Sequence, residues 1–215
     1  MTVAETTAAL APTLAAAAIQ LGLAVSAERQ SRLLQYLLQL QKWNRAYNLS
    51  GLQDLSEMFT LHILDSLTLV PFIDRGPVAD IGTGAGLPGM VLAICKPEIE
   101  FFLIDSNSKK TRFIFQTAAS LGLRNVHAVH ARAEDYAMPS QVAIVTSRAF
   151  ASLRDFVECS QHLLQPAGNL LAMKGQYPQT EIANLPAGFA VVASHPVRVP
   201  GASVTRHVLD IRHSG

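Results

Sequence analysis

The sequence predicts an α/β fold: a mostly parallel sheet with an antiparallel strand at its C-terminal end, preceded by a helical region. Three observations predict it. Apolar residues in the first 70 positions recur at helical spacing. From Val78 onward, short apolar runs alternate with amphipathic stretches, the pattern of parallel βαβ units with right-handed crossovers. The last two apolar runs, Phe189–Val199 and Val204–Ile211, are joined by a polar, glycine-containing connection with no helix between them, so they pair as an antiparallel hairpin.

Each element has its own warrant. Leu33, Leu34, Leu37, Leu38, Leu40 and Trp43 line one face of a helix predicted over Ala27–Arg45, with Ser26 as its N-cap. Asn44, Asn48 and Gly51 break that pattern, and a second helix over Leu55–Val70 is expected to stop at Pro71. Strands follow at Val78–Ile81, Glu100–Ile104, Val126–His130, Val142–Thr146 and Asn169–Met173. Helices are predicted to start at Leu87–Ala93 and to span Lys109–Leu121 and Leu153–Leu164. This divides the chain into a helical region, residues 1–72, packed on a ligand-binding domain, residues 73–215.

With 215 residues, 49% hydrophobic and 15% charged, the composition is that of a globular protein. The net charge of +1 is unevenly spread. Residues 1–104 carry six Lys/Arg against nine Asp/Glu, and residues 105–215 carry eleven against seven. A basic C-terminal half suits a polyanionic partner. Cys95 and Cys159 lie far apart with no metal-ligand spacing around them, so two free thiols in a reducing compartment are expected, with no metal. The Ala-rich stretch Ala8–Ala18 has no Lys or Arg before it and contains Pro12, and no apolar span reaches membrane length. A cytoplasmic chain with no membrane segment is therefore expected.

The strongest local signal is Asp80-Ile81-Gly82-Thr83-Gly84-Ala85-Gly86-Leu87-Pro88-Gly89, which follows a strand and opens a helix. Gly84, Gly86 and Gly89 fit GxGxxG, which taken alone admits a dinucleotide. Asp80 argues against one. A carboxylate two residues before the first glycine sits badly beside a pyrophosphate and well beside an ammonium group, such as that of the methionine moiety of S-adenosylmethionine. Asp105 ends the next strand, 21 residues after Gly84, where a carboxylate accepts hydrogen bonds from ribose hydroxyls. Ala133 and Glu134, after the third strand, fall where an adenine would rest. Arg148 follows the fourth strand, Lys174 ends the fifth, and Arg206 begins the last, antiparallel strand. With Arg132 they are predicted to converge at one sheet edge, a set of cations that suits phosphates.

At these residues the sequence resembles the bacterial small-subunit ribosomal RNA guanine-7 methyltransferases, also called glucose-inhibited division protein B. The matching segments are Trp43-Asn44-Arg45-Ala46-Tyr47-Asn48-Leu49, His62-Ile63-Leu64-Asp65-Ser66, the Asp80–Gly89 loop, Ser147-Arg148-Ala149-Phe150, Lys174-Gly175 and Arg206-His207, in order over roughly residues 30–215. The resemblance implies a Rossmann-like class I S-adenosylmethionine methyltransferase sheet and a cofactor pocket using Gly82, Leu87, Ala133, Glu134 and Arg148. It implies 16S ribosomal RNA as substrate, methylated at nitrogen 7 of a guanosine in the decoding region. Many members carry a basic residue where Leu61 stands, and an acid where Thr205 stands.

Trp43, Tyr47, Ile63 and Leu64 are expected to pack the helical region onto the sheet, and His62 and Asp65 to be hydrogen-bonding packers. No nucleophile-plus-base constellation stands out, so no catalytic acid or base is named. Nitrogen 7 lies in the deep, narrow major groove of paired A-form RNA, so the target should be unpaired or distorted, within the small ribosomal subunit. A monomer is expected. A small-molecule methyltransferase would instead show a closed apolar lid without a cation cluster, and a nicotinamide-dinucleotide-binding protein is opposed by Asp80 and the closing hairpin.

Overall fold

The computed structural model describes residues 3–148 and 150–214; Ala149 of the Ser147–Phe150 segment lies outside the described residues. The chain begins with α1 (Val3–Gln20) and α2 (Ala27–Tyr47). Ser26 caps α2 by accepting from the Arg29 N–H at 3.3 Å, Glu28 and Arg45 complement the helix dipole, and Asn48 ends the helix in the left-handed region at φ 48°. Leu33, Leu34, Leu37 and Leu40 form its buried face.

The single helix expected over Leu55–Val70 is composite. It runs as α3 (Leu55–Met58), a π-helical turn (Phe59–Leu64) and α4 (Asp65–Leu67), followed by a 3-10 turn (Val70–Phe72) that contains Pro71 instead of stopping before it. Burial is unbroken from His62 through Val70, across the π-turn and the helical turn that follows it. Apolar periodicity cannot distinguish such a turn from ordinary helix, which is why the sequence reading missed it.

Seven strands follow: β1 (Val78–Ile81), β2 (Phe101–Asp105), β3 (Val126–His130), β4 (Val142–Ser147), β5 (Leu164–Lys174), β6 (Phe189–Arg198) and β7 (Thr205–His213). Their order is β3-β2-β1-β4-β5-β7-β6. The first five run parallel, and β7 lies antiparallel between β5 and β6, as the closing hairpin requires. Chain direction across the sheet reverses between β1 and β4, which opens a crevice at their carboxyl ends.

The crossovers are α5 (Gly89–Cys95), α6 (Ser108–Ser120) and α7 (Leu153–Ser160). Helix α5 begins two residues later than expected, with Pro88 at its cap, and β5 begins at Leu164, ahead of the expected Asn169. A short α8 (Gln179–Ala183), too brief for a periodic signal, links β5 to β6. The N-terminal helices share one core with the sheet. Leu14, Leu33, Leu37 and Ile63 join Val91, Phe101 and Phe113, while Ile81, Val145, Phe156 and Leu209 form the core of the other face. Trp43 meets the sheet through α6, packing edge-on against Phe113 at 5.5 Å between ring centroids.

Candidate active site

The glycine loop connects β1 to α5 at the crevice. Gly82, Gly84 and Gly86 have φ of 61°, 62° and 93°, where a side chain would be strained. Three anchors hold the loop. Below it, the Asp80 Oδ2 accepts from the Thr83 hydroxyl at 2.6 Å and the Gly89 N–H at 2.8 Å. On one flank, Asp105 Oδ2 accepts from the Gly84 N–H at 2.8 Å while Oδ1 accepts from the Asn107 N–H at 2.8 Å. From α2, the buried Tyr36 hydroxyl donates to the Ala85 carbonyl at 2.8 Å.

Asp80 is fully enclosed, and its Oδ1 has no hydrogen-bond partner. Burial pushes its carboxyl up to about 7, against the lowering effect of the Thr83 and Gly89 hydrogen bonds and the Arg148 charge. The sequence reading set Asp80 beside the ligand; the structure sets it beneath the loop, because a nearby hydroxyl and the first N–H of α5 claim it.

One cavity adjoins the loop, and a second lies at the ends of β4 and β5. The first, about 270 Å³, is lined by Gly82, Asp105, Arg132, Ala133, Glu134 and Phe150. The second, about 240 Å³, is lined by Leu61, Asp65, Arg148, Met173, Gly175 and Arg206. Its cations are held in place. Asp65, 1% exposed, accepts from Arg148 Nη1 at 3.2 Å and from Arg206 Nε at 2.8 Å. Arg148 Nη1 also donates to the Leu61 carbonyl at 2.8 Å, and its Nη2 lies 3.4 Å from His62 Nδ1. Burial first, and the Arg148 charge second, lower the His62 pKa to about 4, so its ring is neutral, and its Nε2 is hydrogen-bonded with the Ser50 hydroxyl at 3.1 Å.

These contacts revise the expected cluster of four cations. Arg148 and Arg206 converge on Asp65. Lys174 is tied to Glu181 at 2.8 Å and to the Phe150 carbonyl at 3.1 Å. Arg132 lines the other cavity, 68% exposed and 3.6 Å from Glu134. Arginine needs a counter-charge when half-buried, and the sequence shows the cations but not which carboxylates neutralise them. Leu61 contributes a backbone carbonyl, which any residue at that position supplies. Asp65, Tyr36 and Glu181 were not singled out as site residues. The sequence signals for Asp65 are an acid inside an otherwise apolar helix and its place in the His62–Ser66 segment that carries the resemblance.

Residues 29–209 match the family of rRNA small subunit methyltransferase G, GidB. The chain belongs to that family. It is 48% identical over 196 residues to the ribosomal RNA small subunit methyltransferase G of Hydrogenovibrio crunogenus, covering 91% of each chain. Against the protein of the same name from Pseudomonas aeruginosa it is 45% identical over 202 residues, 94% of each. Among solved structures, the glycopeptide N-methyltransferase MtfA with S-adenosylmethionine aligns with a TM-score of 0.61 at 12% identity, over 71% of this chain and 94% of that one. A methyltransferase from Aquifex aeolicus aligns with a TM-score of 0.55 at 18% identity, over 72% and 92%. These two likenesses establish the fold.

As a member of the rRNA small subunit methyltransferase G family, the protein draws its methyl group from S-adenosylmethionine. The geometry fits that cofactor. The first cavity has the strand-end carboxylate of Asp105 at one side and the Ala133–Glu134 turn at the other, and an uncompensated acceptor lies buried under the loop between them. Tyr36→Phe tests the brace from α2. It leaves the buried Ala85 carbonyl unsatisfied, so a loss of about 1 kcal/mol in unfolding free energy is expected, together with weaker cofactor binding in calorimetry. Unchanged stability and affinity would show that the hydroxyl holds nothing.

Proposed function

We propose that the protein transfers the methyl group of S-adenosylmethionine to nitrogen 7 of a guanosine in the decoding region of 16S ribosomal RNA, acting in the cytoplasm as a monomer on the small ribosomal subunit. The observation that carries this reading is that one sheet edge bears two cavities, one lined by the strand-end carboxylate of Asp105 and one by Arg148 and Arg206. The second favours an anionic substrate over a small apolar one. Among the described residues no helix is long and apolar enough to cross a membrane.

In this reading residues 73–215 bind and residues 1–72 brace. Bound S-adenosylmethionine supplies an electrophilic methyl group on a sulfonium. Asp105 would accept from the ribose hydroxyls, the Ala133–Glu134 turn would border the adenine, and Gly82, Gly84, Gly86 and Leu87 would shape the loop against the methionine moiety. Asp80 would act on the ammonium through its field and through the loop that it anchors. Arg148 would border the cofactor, and Arg206 would meet the substrate's phosphates or guanine edge, with Lys174 and Arg132 at the margins. Guanine nitrogen 7 has a free lone pair and no proton at neutral pH. The residues therefore need only orient it and exclude water, with no general base.

The test is transfer of a tritiated methyl group to intact small subunits, bare 16S RNA and small metabolites as separate acceptors. Release of labelled 7-methylguanosine from digested RNA is expected; label confined to metabolites would overturn the RNA assignment. Proton linkage supplies a second check. Cofactor ammonium favours ionised Asp80, and in the free protein that carboxyl is half-protonated near pH 7, with Arg148 and Asp105 as the other charges acting on it. Cofactor affinity should therefore fall five- to tenfold between about pH 7.5 and pH 6, and Asp80→Asn should flatten the profile. A flat profile in the unmodified protein would refute the coupling.

A further inference from the structure

The cations facing Asp65 and Glu181 are each paired to a carboxylate, whereas a second basic set is not. Lys42, Lys109, Lys110 and Arg112 have no side-chain hydrogen bond or ion pair among the described residues. Their positions are fixed by the packing of α2 on α6. Gln39 and Ser120 exchange hydrogen bonds of 2.9 and 3.2 Å, and Trp43 meets Phe113 four residues further along α2 and seven residues earlier on α6. The two helices are therefore antiparallel. The end of α2 comes beside the first turns of α6, where Lys109, Lys110 and Arg112 stand. Lys110 reaches the cofactor loop: a Cβ placed on Gly84 would lie 3.9 Å from its Nζ.

An exposed aromatic ring belongs to the same surface. Tyr47 is 49% exposed, with Trp43 as its ring neighbour among the described residues at 5.2 Å between centroids, and Lys42 and Lys109 are exposed on the same pair of helices. A large ring left half in water among unpaired cations is the combination that holds unpaired nucleic acid: bases stack on the ring and phosphates meet the cations. A duplex would offer the phosphates but no free base face.

We propose that the rim between α2 and α6 binds an unpaired stretch of ribosomal RNA flanking the target guanosine, with a base stacked on Tyr47 and the backbone on Lys109, Lys110 and Arg112. It places an RNA path on the opposite side of the glycine loop from Arg148 and Arg206, so that the target strand would cross the cofactor mouth between two anchored ends. This inference rests on the proposed rRNA activity.

The test uses methylation of small subunits from cells lacking the modification. Tyr47→Ala is expected to raise the KM for subunits roughly 5- to 100-fold, with Tyr47→Phe retaining most of the binding, because a phenyl ring stacks as well. The double variant Lys109→Ala/Arg112→Ala, which disturbs no packing, should raise the same KM and flatten its dependence on salt by roughly 0.7 in logarithmic slope per cation removed. The KM for S-adenosylmethionine should not move in either variant, and the melting temperature should not move in Lys109→Ala/Arg112→Ala, whereas Tyr47→Ala loses its contact with Trp43 and melts slightly lower. Variants with unchanged KM and salt slope, in a protein whose unmodified form does methylate the subunit, overturn the surface and leave the activity standing. A photoreactive p-benzoylphenylalanine at position 47 that crosslinks to a ribosomal protein instead of rRNA also overturns it. If the unmodified protein labels no rRNA, the proposed activity falls and the surface with it.

Discussion

Gly89→Ala is expected to cripple cofactor binding and to destabilise the protein. A Cβ at this position would overlap the Leu103 side chain on β2 and stand 2.8 Å from Asp80 Oδ2 and 3.2 Å from Asp80 Cβ. Leu103 and Asp80 are both fully buried, so neither has room to withdraw. The start of α5 must then lift away from β1 and β2, which breaks the Gly89–Asp80 hydrogen bond and leaves the buried Asp80 Oδ2 with the Thr83 hydroxyl alone. Overpacking of this kind costs roughly 1–3 kcal/mol or more, and for a chain of this size each kcal/mol lowers the melting temperature by about 2–4 °C. A drop of about 4–10 °C, with cofactor affinity at least tenfold weaker by calorimetry, is expected. Gly51→Ala is the control, since a Cβ there meets nothing within 4 Å. Gly89→Ala melting and binding like Gly51→Ala would show that close packing of the loop on β2 is not what glycine provides.

Asp65→Ala should produce the second large effect. The carboxylate is 1% exposed and holds two guanidinium groups whose side chains are 21% and 24% exposed. Removing it leaves Arg148 and Arg206 facing each other across the second cavity with no counter-charge. Losing one partner of a buried ion pair costs about 3–5 kcal/mol, and the partial exposure of both arginines reduces this to about 1–3 kcal/mol. Methylation should fall by more than tenfold even at saturating cofactor, because the arginines swing toward solvent, and cofactor affinity should weaken by a smaller factor. Denaturant unfolding and steady-state assays with both substrates varied would separate the two effects. Wild-type turnover in Asp65→Ala would show that Arg148 and Arg206 need no positioning. Acidification strains the same place. His62 is neutral in the fold down to about pH 4 and titrates near 6.5 when unfolded, so the stability it contributes is present above 6.5 and is lost as pH falls toward 4.

Features that depend on neighbours in the chain were legible in the sequence. The Asp80–Gly89 loop could be read because left-handed turns select glycine at Gly82, Gly84 and Gly86, whatever surrounds them. The cap at Ser26 and the hairpin of β6 and β7 are likewise local, and the strand–helix alternation implied the parallel sheet. These determined the fold class, the position of the cofactor loop and the strand-end residues that border it. The tertiary structure decided which cations are free and which are spent. Asp65 meets Arg148 across 83 residues and Arg206 across 141, and Tyr36 reaches the loop across 49. No periodicity or propensity encodes such pairs. A carboxylate stripped of water requires a counter-charge, and the burial of Asp65 that makes Arg148 and Arg206 its obligatory partners exists only once the whole chain has packed.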